Sequence, residues 1–149
     1  MATIVWGYTS GGRGNNIKDL MRNGNLDHLT ELLSEARTQP VADWIEHYNK
    51  VKEIKGLGLS TYTKFLNFLS VKVDGHTALI LDDRIIQVVS QGMWKELAPL
   101  GDLSNSNAVR RYPSYLERMH SLATTLQICP EAIEFFLFEF GLSLKPRSG

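Results

Sequence analysis

The stretch Ile54–Val89, IKGLGLSTYTKFLNFLSVKVDGHTALILDDRIIQVV, decides the fold of this chain. Its pattern predicts a helix that ends in a Gly-x-Gly turn, a second helix, an irregular connector with a turn at Asp74-Gly75, and a third helix opened by an acid. Glycine at positions 56 and 58 tolerates the positive φ and the close backbone approach that such a turn can require. On its own, this pattern is also typical of an ordinary helical hairpin.

The second helix of this stretch has one apolar face. Its apolar residues recur at i, i+3, i+4 and i+7, which predicts that the helix packs against a core. Thr61, Lys64 and Asn67 fall on the other side, where we expect Lys64 to meet solvent or phosphate. The apolar residues are Tyr62, Phe65, Leu66 and Leu69.

Amphipathic helices are also predicted on both sides of this stretch. Before it, apolar stripes run over residues 26–36 and 41–51, and we expect Glu46 and His47, outside the second stripe, to be solvated. After it, a stripe runs from Tyr112 to Leu126, and Pro113 suits a first turn. The second stripe consists of Val41, Trp44, Ile45, Tyr48 and Val51.

The last predicted helix starts at Pro130 and is apolar on nearly every side. A helix of this kind is buried or faces a partner. No strand pattern competes with the helices anywhere in the chain. We therefore predict an all-α fold, a compact helical domain of about seven or eight helices.

The composition is that of one globular domain. With 149 residues, 43% of them hydrophobic, the chain is long enough to bury a core, and we predict one domain over residues 1–149 with a tail at 145–149. The single cysteine, Cys129, excludes an iron–sulfur cluster, and we expect it to pack in the core. The histidines lack the spacing of metal ligands. No signal peptide or long apolar run is present, so we expect a cytoplasmic protein that has no contact with membranes.

Positive charge is concentrated around the Gly-x-Gly turn, although the formal net charge is zero. Residues 47–72 contain five lysines and one glutamate, whereas residues 25–46 and 73–103 each contain five acids. A basic patch of this kind indicates phosphate binding. The alternative is that these lysines only solvate an exposed turn.

The turn and the acid that follows it resemble the module of the helix-hairpin-helix DNA glycosylase superfamily. The hairpin, at residues 54–60, carries Gly56-Leu57-Gly58, and Ser60-Thr61 opens the next helix. The spaced aspartate lies in Ile80-Leu81-Asp82-Asp83-Arg84-Ile85, which is especially similar to the adenine glycosylase branch.

A broader similarity covers nearly the whole chain. It includes Trp6-Gly7-Tyr8, the glycine-rich segment Gly11-Gly12-Arg13-Gly14-Asn15-Asn16 and the segment Phe136-Leu137-Phe138-Glu139-Phe140-Gly141. The chain is similar in these segments to small bacterial proteins with an 8-oxoguanine-glycosylase fold. The resemblance implies a DNA partner whose damaged or modified base is excised, in the bacterial cytosol or nucleoid.

Asp82 is the catalytic residue that the resemblance implies. An aspartate before an apolar helix is usually an N-cap, and that role alone would explain Asp82. The same amides and the helix dipole also stabilise a carboxylate that activates water and supports the sugar cation formed as an N-glycosidic bond breaks. Asp83 is the neighbouring candidate, but counting back from Ile85 favours Asp82.

Ser60 stands where bifunctional members of the superfamily carry a lysine that forms a Schiff base. The resemblance therefore implies a monofunctional enzyme that uses water and needs no cofactor. It also implies that backbone carbonyls of the hairpin, those of Ile54 and Gly56, hold a sodium or potassium ion. The DNA-binding residues it implies are Lys55, Gly56, Leu57, Gly58, Ser60, Thr61 and Lys64.

A glycosylase must also flip its target base into a pocket. Candidates to line this pocket or to wedge the duplex are Trp6, Tyr8, Arg13, Trp44 and Trp94. Each aromatic residue is more often part of a core. Two other functions stay open: a non-catalytic module that binds DNA through the hairpin, and a protein-interaction domain whose surface is the aromatic C-terminal helix. The oligomeric state is not predicted.

Overall fold

The computed structural model describes residues 18–22 and 24–144, and these are mainly helical. The prediction of an all-α fold is thereby confirmed. The chain divides into two compact units, Met1–Ile80 and Leu81–Gly149. No helix in the described part of the chain is long and apolar enough to cross a lipid bilayer.

The first unit contains three helices after the short helical segment at residues 18–20. Helix α1 spans Asn25–Thr38, α2 spans Trp44–Lys52 and α3 spans Leu59–Phe68. Helix α2 starts where the Asp43 side chain accepts a hydrogen bond from the Glu46 amide at 2.9 Å, which is a standard N-cap. Helix α3 follows α2 after the turn at residues 53–58.

A small β-hairpin replaces the irregular connector that we predicted for residues 71–78. Strand β1 (Lys72–Val73) pairs antiparallel with β2 (His76–Thr77). Asp74 and Gly75 form the turn with φ of 49° and 80°, as the favoured two-residue hairpin turn requires. The backbone of Val41 bonds to Lys72 and Asp74 at 2.9 and 2.8 Å, so the hairpin is tied to the chain before α2.

The second unit packs three helices and a 3₁₀ helix. Helix α4 spans Asp83–Ser90, the 3₁₀ helix Lys95–Leu100, α5 Ala108–Leu126 and α6 Pro130–Phe140. Helix α5 starts one turn earlier than predicted, so Pro113 lies inside it. The core takes large, fully buried side chains from α4, the 3₁₀ helix, α5 and the loop before α5: Ile85, Leu100, Leu103, Tyr112, Tyr115 and Leu116.

Gly141 marks a close approach between the end of α6 and α4. Its backbone is right-handed, with φ of −56°, so conformational freedom is not why glycine stands here. A Cβ at this position would lie 2.5 and 2.7 Å from the two methyl carbons of Val88 and would also contact the Leu137 carbonyl oxygen. The absence of a side chain therefore lets α6 end against α4.

Replacing Gly141 should therefore destabilise the second unit. We expect Gly141→Ala to cost about 1–3 kcal/mol, because Val88 must move to accept the methyl group. Gly101→Ala is the control, since its Cβ would meet only the Ala98 carbonyl oxygen, at 3.2 Å. Thermal unfolding should show a clearly lower Tm for Gly141→Ala than for the control. Equal values would contradict the close packing.

Candidate functional site

The turn between α2 and α3 is built on one glycine with a left-handed backbone. Gly56 has φ of 87°, whereas Gly58 is extended, with φ of −99° and ψ of 171°. The Leu57 amide donates a hydrogen bond to the Ile54 carbonyl at 3.2 Å, which closes the turn. A positive φ thus explains glycine at position 56 but not at position 58.

Gly58 is exposed and has open space around it. A Cβ added there would meet no heavy atom within 4 Å. Ile54 and Leu57, in contrast, are buried and hold the turn to the core. Gly58 is the N-cap of α3, and as a glycine it has no side chain with which to cap this helix. The first amides of α3 therefore have no intrahelical partner and point toward the end of the helix, where an anion is favoured.

The lysines predicted to bind phosphate are not equivalent. The Lys55 side chain is 77% exposed, and its Nζ lies 3.7 Å from the Asp19 carboxylate, a surface pair that is weak in water. Lys64 is buried, so the expectation that it meets solvent was wrong. Thr61 is buried as well, and Ser60 is half-buried in the first turn of α3. Of the two lysines predicted to bind DNA, Lys55 is therefore the one that is exposed.

His47 is the polar residue that the sequence analysis misplaced. It is buried, not solvated, and its Nε2 lies 2.6 Å from the hydroxyl of Tyr62 on α3. Trp44, His47, Tyr48 and Val51 have the i, i+3, i+4, i+7 spacing, so His47 takes the place on the buried face that we assigned to Ile45. Ile45 is 46% exposed. This spacing was the signal that could have identified His47.

An aromatic cluster surrounds His47. The Trp44 ring lies 5.3 Å from that of Tyr48 and 6.5 Å from that of Tyr62, between centroids. We had considered Trp44 as a residue that lines an open pocket. It is 3% exposed and therefore belongs to the core. Of the other candidates, Trp94 is half-buried and lines an apolar groove of the second unit, and Trp6, Tyr8 and Arg13 lie outside the described residues.

Burial sets the protonation of this cluster. Desolvation lowers the pKa of His47 and exceeds the opposing effect of Glu35, while Lys50 lowers it further. Desolvation raises the pKa of Tyr48 to about 12 and raises that of Tyr62 as well. His47 is therefore neutral at pH 7, and the Tyr62 phenol stays protonated. The pair joins α2 to α3 on either side of the glycine turn.

Asp82 is the N-cap of α4. Its backbone is extended, with φ of −120°, and its Oδ1 accepts a hydrogen bond from the Ile85 amide at 3.0 Å. The side chain is half-buried, whereas that of Asp83 is exposed in the first turn. The two neighbouring aspartates thus differ in burial.

Tyr115 lies close enough to Asp82 to sense its charge. Burial raises the pKa of Tyr115 well above its usual value, and the negative charges of Glu134 and Asp82 raise it further. The phenol is fully buried and stays neutral.

Arg84 fixes the other side of this helix start. Its guanidinium donates to the backbone carbonyls of Phe138 and Glu139 and lies 5.0 Å over the Phe138 ring. The start of α4 is therefore attached to the end of α6.

Among the described residues, no group of three or more His, Cys, Asp or Glu side chains could hold a metal ion. Cys129 is exposed, which corrects the expectation that it packs in the core.

These features define a helical protein that has a glycine turn between two helices and an aspartate at the start of a third, the two elements that carry the resemblance to DNA glycosylases. Residues 1–138 match the model of the family described as "Putative 8-oxoguanine DNA glycosylase OGG-like protein", and the chain belongs to this family. The family is DNA-glycosylase-like, which implies DNA as a partner. No curated protein and no solved structure matches the chain significantly.

The burial of His47 predicts how the stability of the folded protein depends on pH. The pKa of His47 is lowered in the folded state, so the unfolded chain binds the proton more readily, and stability should fall as the pH drops below about 6.5. His47→Gln should weaken this dependence, because glutamine does not titrate. His28→Gln, at a partly exposed position, is the control. Chemical denaturation between pH 7.5 and 5.5 measures the effect, and identical pH profiles for wild type and His47→Gln would contradict it.

Proposed function

We propose that this protein is a monofunctional DNA glycosylase that hydrolyses the N-glycosidic bond of a damaged or modified base. The observation that carries the proposal is Asp82, a half-buried carboxylate oriented by the Ile85 amide, in a chain of a glycosylase-like family. The expected location is the cytoplasm, where DNA is accessible to such an enzyme.

In the proposed reaction, Asp82 acts on water and on the sugar. As the C1′–N bond breaks, the base leaves with the bonding electron pair and takes up a proton from the solvent. The sugar becomes cation-like, and the negative charge of Asp82 stabilises it. Water then adds to C1′, and Asp82 accepts its proton. The Ile85 hydrogen bond supports this role because it holds one carboxylate oxygen and leaves the other for the reaction.

Two features favour water as the nucleophile. Ser60 occupies the position of the Schiff-base lysine in bifunctional members, and a hydroxyl cannot form an imine. Lys64 is one turn further along α3 and is buried, so it is a poor substitute. The enzyme would therefore release the base without cutting the strand.

The α2–α3 turn is the proposed DNA contact, as a helix-hairpin-helix element. Gly58 is exposed with open space around it, and the first amides of α3 are uncapped, so a phosphate could approach the backbone closely. Lys55 would add charge once it exchanges the Asp19 carboxylate for a phosphate. In this contact, the buried Leu57 would support the turn by packing in the core, and the buried Thr61 would do so from the first turn of α3.

A monovalent cation at this turn stays a prediction. The Ile54 carbonyl accepts one hydrogen bond, from Leu57, and a carbonyl oxygen has a second lone pair for a sodium or potassium ion. The Gly56 carbonyl would be the second ligand. Such an ion would fix the hairpin carbonyls and add positive charge near the phosphate.

Replacing Asp82 with asparagine tests its role in catalysis while the fold is kept. Asp82→Asn keeps an N-cap oxygen for the Ile85 amide but removes the charge, so the fold should persist. We expect base release to fall about a hundredfold or more. Asp83→Asn is the matched control and should retain activity. The assay incubates duplex oligonucleotides carrying a panel of altered bases, treats them with alkali, and separates cleaved strands by electrophoresis.

Activity that survives in Asp82→Asn would contradict the assigned role. The same reactions, run with sodium borohydride, should trap no covalent protein–DNA complex, because no amine attacks the sugar. A trapped complex would contradict the monofunctional mechanism.

The alternative function is a DNA-binding module without catalysis, and the N-cap role of Asp82 favours it. This alternative predicts no base release on any substrate, together with salt-sensitive DNA binding that Asp82→Asn does not change. Both functions require the same turn, so a test of the turn is informative under either.

Serine at position 58 tests the close approach of the turn to DNA. Serine suits an N-cap as well as glycine does, and its Cβ meets no protein atom, so stability should be unchanged or slightly higher. If a phosphate contacts this backbone, Gly58→Ser should weaken duplex binding severalfold in an anisotropy titration. Lys55→Glu should weaken it and lower its salt dependence, whereas Lys95→Glu, in the second unit, should change little. Unchanged affinity in Gly58→Ser and Lys55→Glu would contradict the assignment.

A further inference from the structure

Arg84 stands where the helix that carries it disfavours a positive charge. It lies in the first turn of α4, two residues after the N-cap Asp82. The N-terminal end of a helix carries partial positive charge, so a cation in this turn is unfavourable unless acceptors outside the helix bind it. The reason for an arginine at this position therefore lies outside α4.

The acceptors of Arg84 are at the end of α6. Its Nε donates to the Phe138 carbonyl, and its Nη2 donates to the Glu139 carbonyl at 3.4 Å. Both carbonyls belong to the last turn of α6, where helix carbonyls lack intrahelical partners and the dipole favours a cation. The planar guanidinium suits two adjacent carbonyls, because its N–H groups point in fixed directions.

Two further contacts support the same arrangement. The Phe138 ring centroid lies 5.0 Å from Cζ of Arg84, which is half-buried. One turn further along α4, the methyl carbons of Val88 lie 2.5 and 2.7 Å from where a Cβ on Gly141 would stand. The first two turns of α4 are thus both held against the end of α6.

The Asp82 carboxylate is bound to the turn that Arg84 anchors. Its Oδ1 accepts a hydrogen bond from the Ile85 amide, so the carboxylate moves with the first turn of α4. Arg84 lies between these two residues in the chain. A displacement of about 1 Å in a catalytic geometry can cost on the order of a hundredfold in rate. Loss of the contact with α6 would therefore affect Asp82 more directly than any DNA contact at the α2–α3 turn.

We propose that Arg84 is a positioning residue for Asp82. By binding the end of α6, its guanidinium holds the first turn of α4, and with it the Asp82 carboxylate, in the place that base release requires. This role needs no contact between Arg84 and DNA or water. The inference rests on the proposed glycosylase function, because it concerns the same reaction.

Replacing Arg84 with lysine removes the planar fork and keeps the charge. Arg84→Lys should lower the rate constant of base release about tenfold and leave substrate affinity unchanged, because the carboxylate is displaced while the α2–α3 turn is not. The measurement is single-turnover kinetics with protein in excess over a duplex substrate. At saturation this rate constant does not depend on the folded fraction, so a loss of stability alone would not change it.

Arg111→Lys is the matched control for this substitution. Arg111 also donates to a backbone carbonyl, that of Pro99, and it lies in the same unit. It is on α5 and does not hold the first turn of α4, so the rate constant of Arg111→Lys should equal that of the wild type. Equal rate constants for wild type, Arg84→Lys and Arg111→Lys would overturn the positioning role.

A double-mutant comparison shows whether Arg84 acts through Asp82. If it does, Arg84→Lys should have no further effect in the Asp82→Asn protein, because the carboxylate that Arg84 positions is already absent. The same fold-change in both backgrounds would contradict the proposal. Phe138→Leu is a second, milder variant. It removes the ring beside the guanidinium but keeps the carbonyl, so it should slow base release less than Arg84→Lys does.

The activity of the wild type separates the failure of this inference from the failure of the proposed function. If the wild type releases no base from any substrate in the panel, the proposed function fails and the role of Arg84 fails with it. If the wild type releases base no faster than Arg84→Lys, the proposed function stands and only the role of Arg84 is overturned.

Discussion

The hydrogen bond between the Ile85 amide and Asp82 fixes where α4 begins, and much of the second unit depends on that point. From it, α4 places Ile85, Val88 and Val89 in the core and brings Val88 against the end of α6. The same bond orients the carboxylate that we assign to catalysis. One side chain therefore serves the fold and the proposed chemistry through the same geometry, which is why asparagine is a more informative replacement there than alanine.

Positive charge is unevenly distributed along this chain, although its net charge is zero. The turn between α2 and α3 exposes Lys55 next to the first amides of α3. A local surface of this kind attracts phosphate whatever the total charge of the chain. A neutral total therefore says little about whether such a protein binds nucleic acid.

Much of the fold was predictable because it rests on local patterns. The apolar stripes predicted the helices, the glycine pair predicted the turn, and the acid before an apolar run predicted the start of α4. The β-hairpin was missed because two-residue strands are too short to show alternation, although Asp74-Gly75 was its signal. The sequence also could not predict which side of α6 is exposed. A helix that is apolar on every side has no pattern that shows which side packs against a neighbour.

The candidate site was less predictable, because burial of polar residues depends on partners distant in sequence. The spacing within α2 could have placed His47 on the buried face, but it could not show that the Tyr62 hydroxyl of α3 meets the His47 ring. Lys64 is buried as well, although it falls on the side of its helix opposite the predicted apolar stripe. The capping role of Asp82 was identifiable because it is local. A pocket for a base, in contrast, would depend on residues brought together from several helices.

The one thiol of the chain lies at a position where a fluorescent reporter could be attached. Cys129 is exposed and directly follows Ile128, which lines an apolar groove between the 3₁₀ helix, α5 and α6. Since the sequence contains no other cysteine, a maleimide dye would attach at this position alone, in the unaltered protein. The natural sequence thus already carries the attachment point for a reporter whose emission would change when the groove is filled.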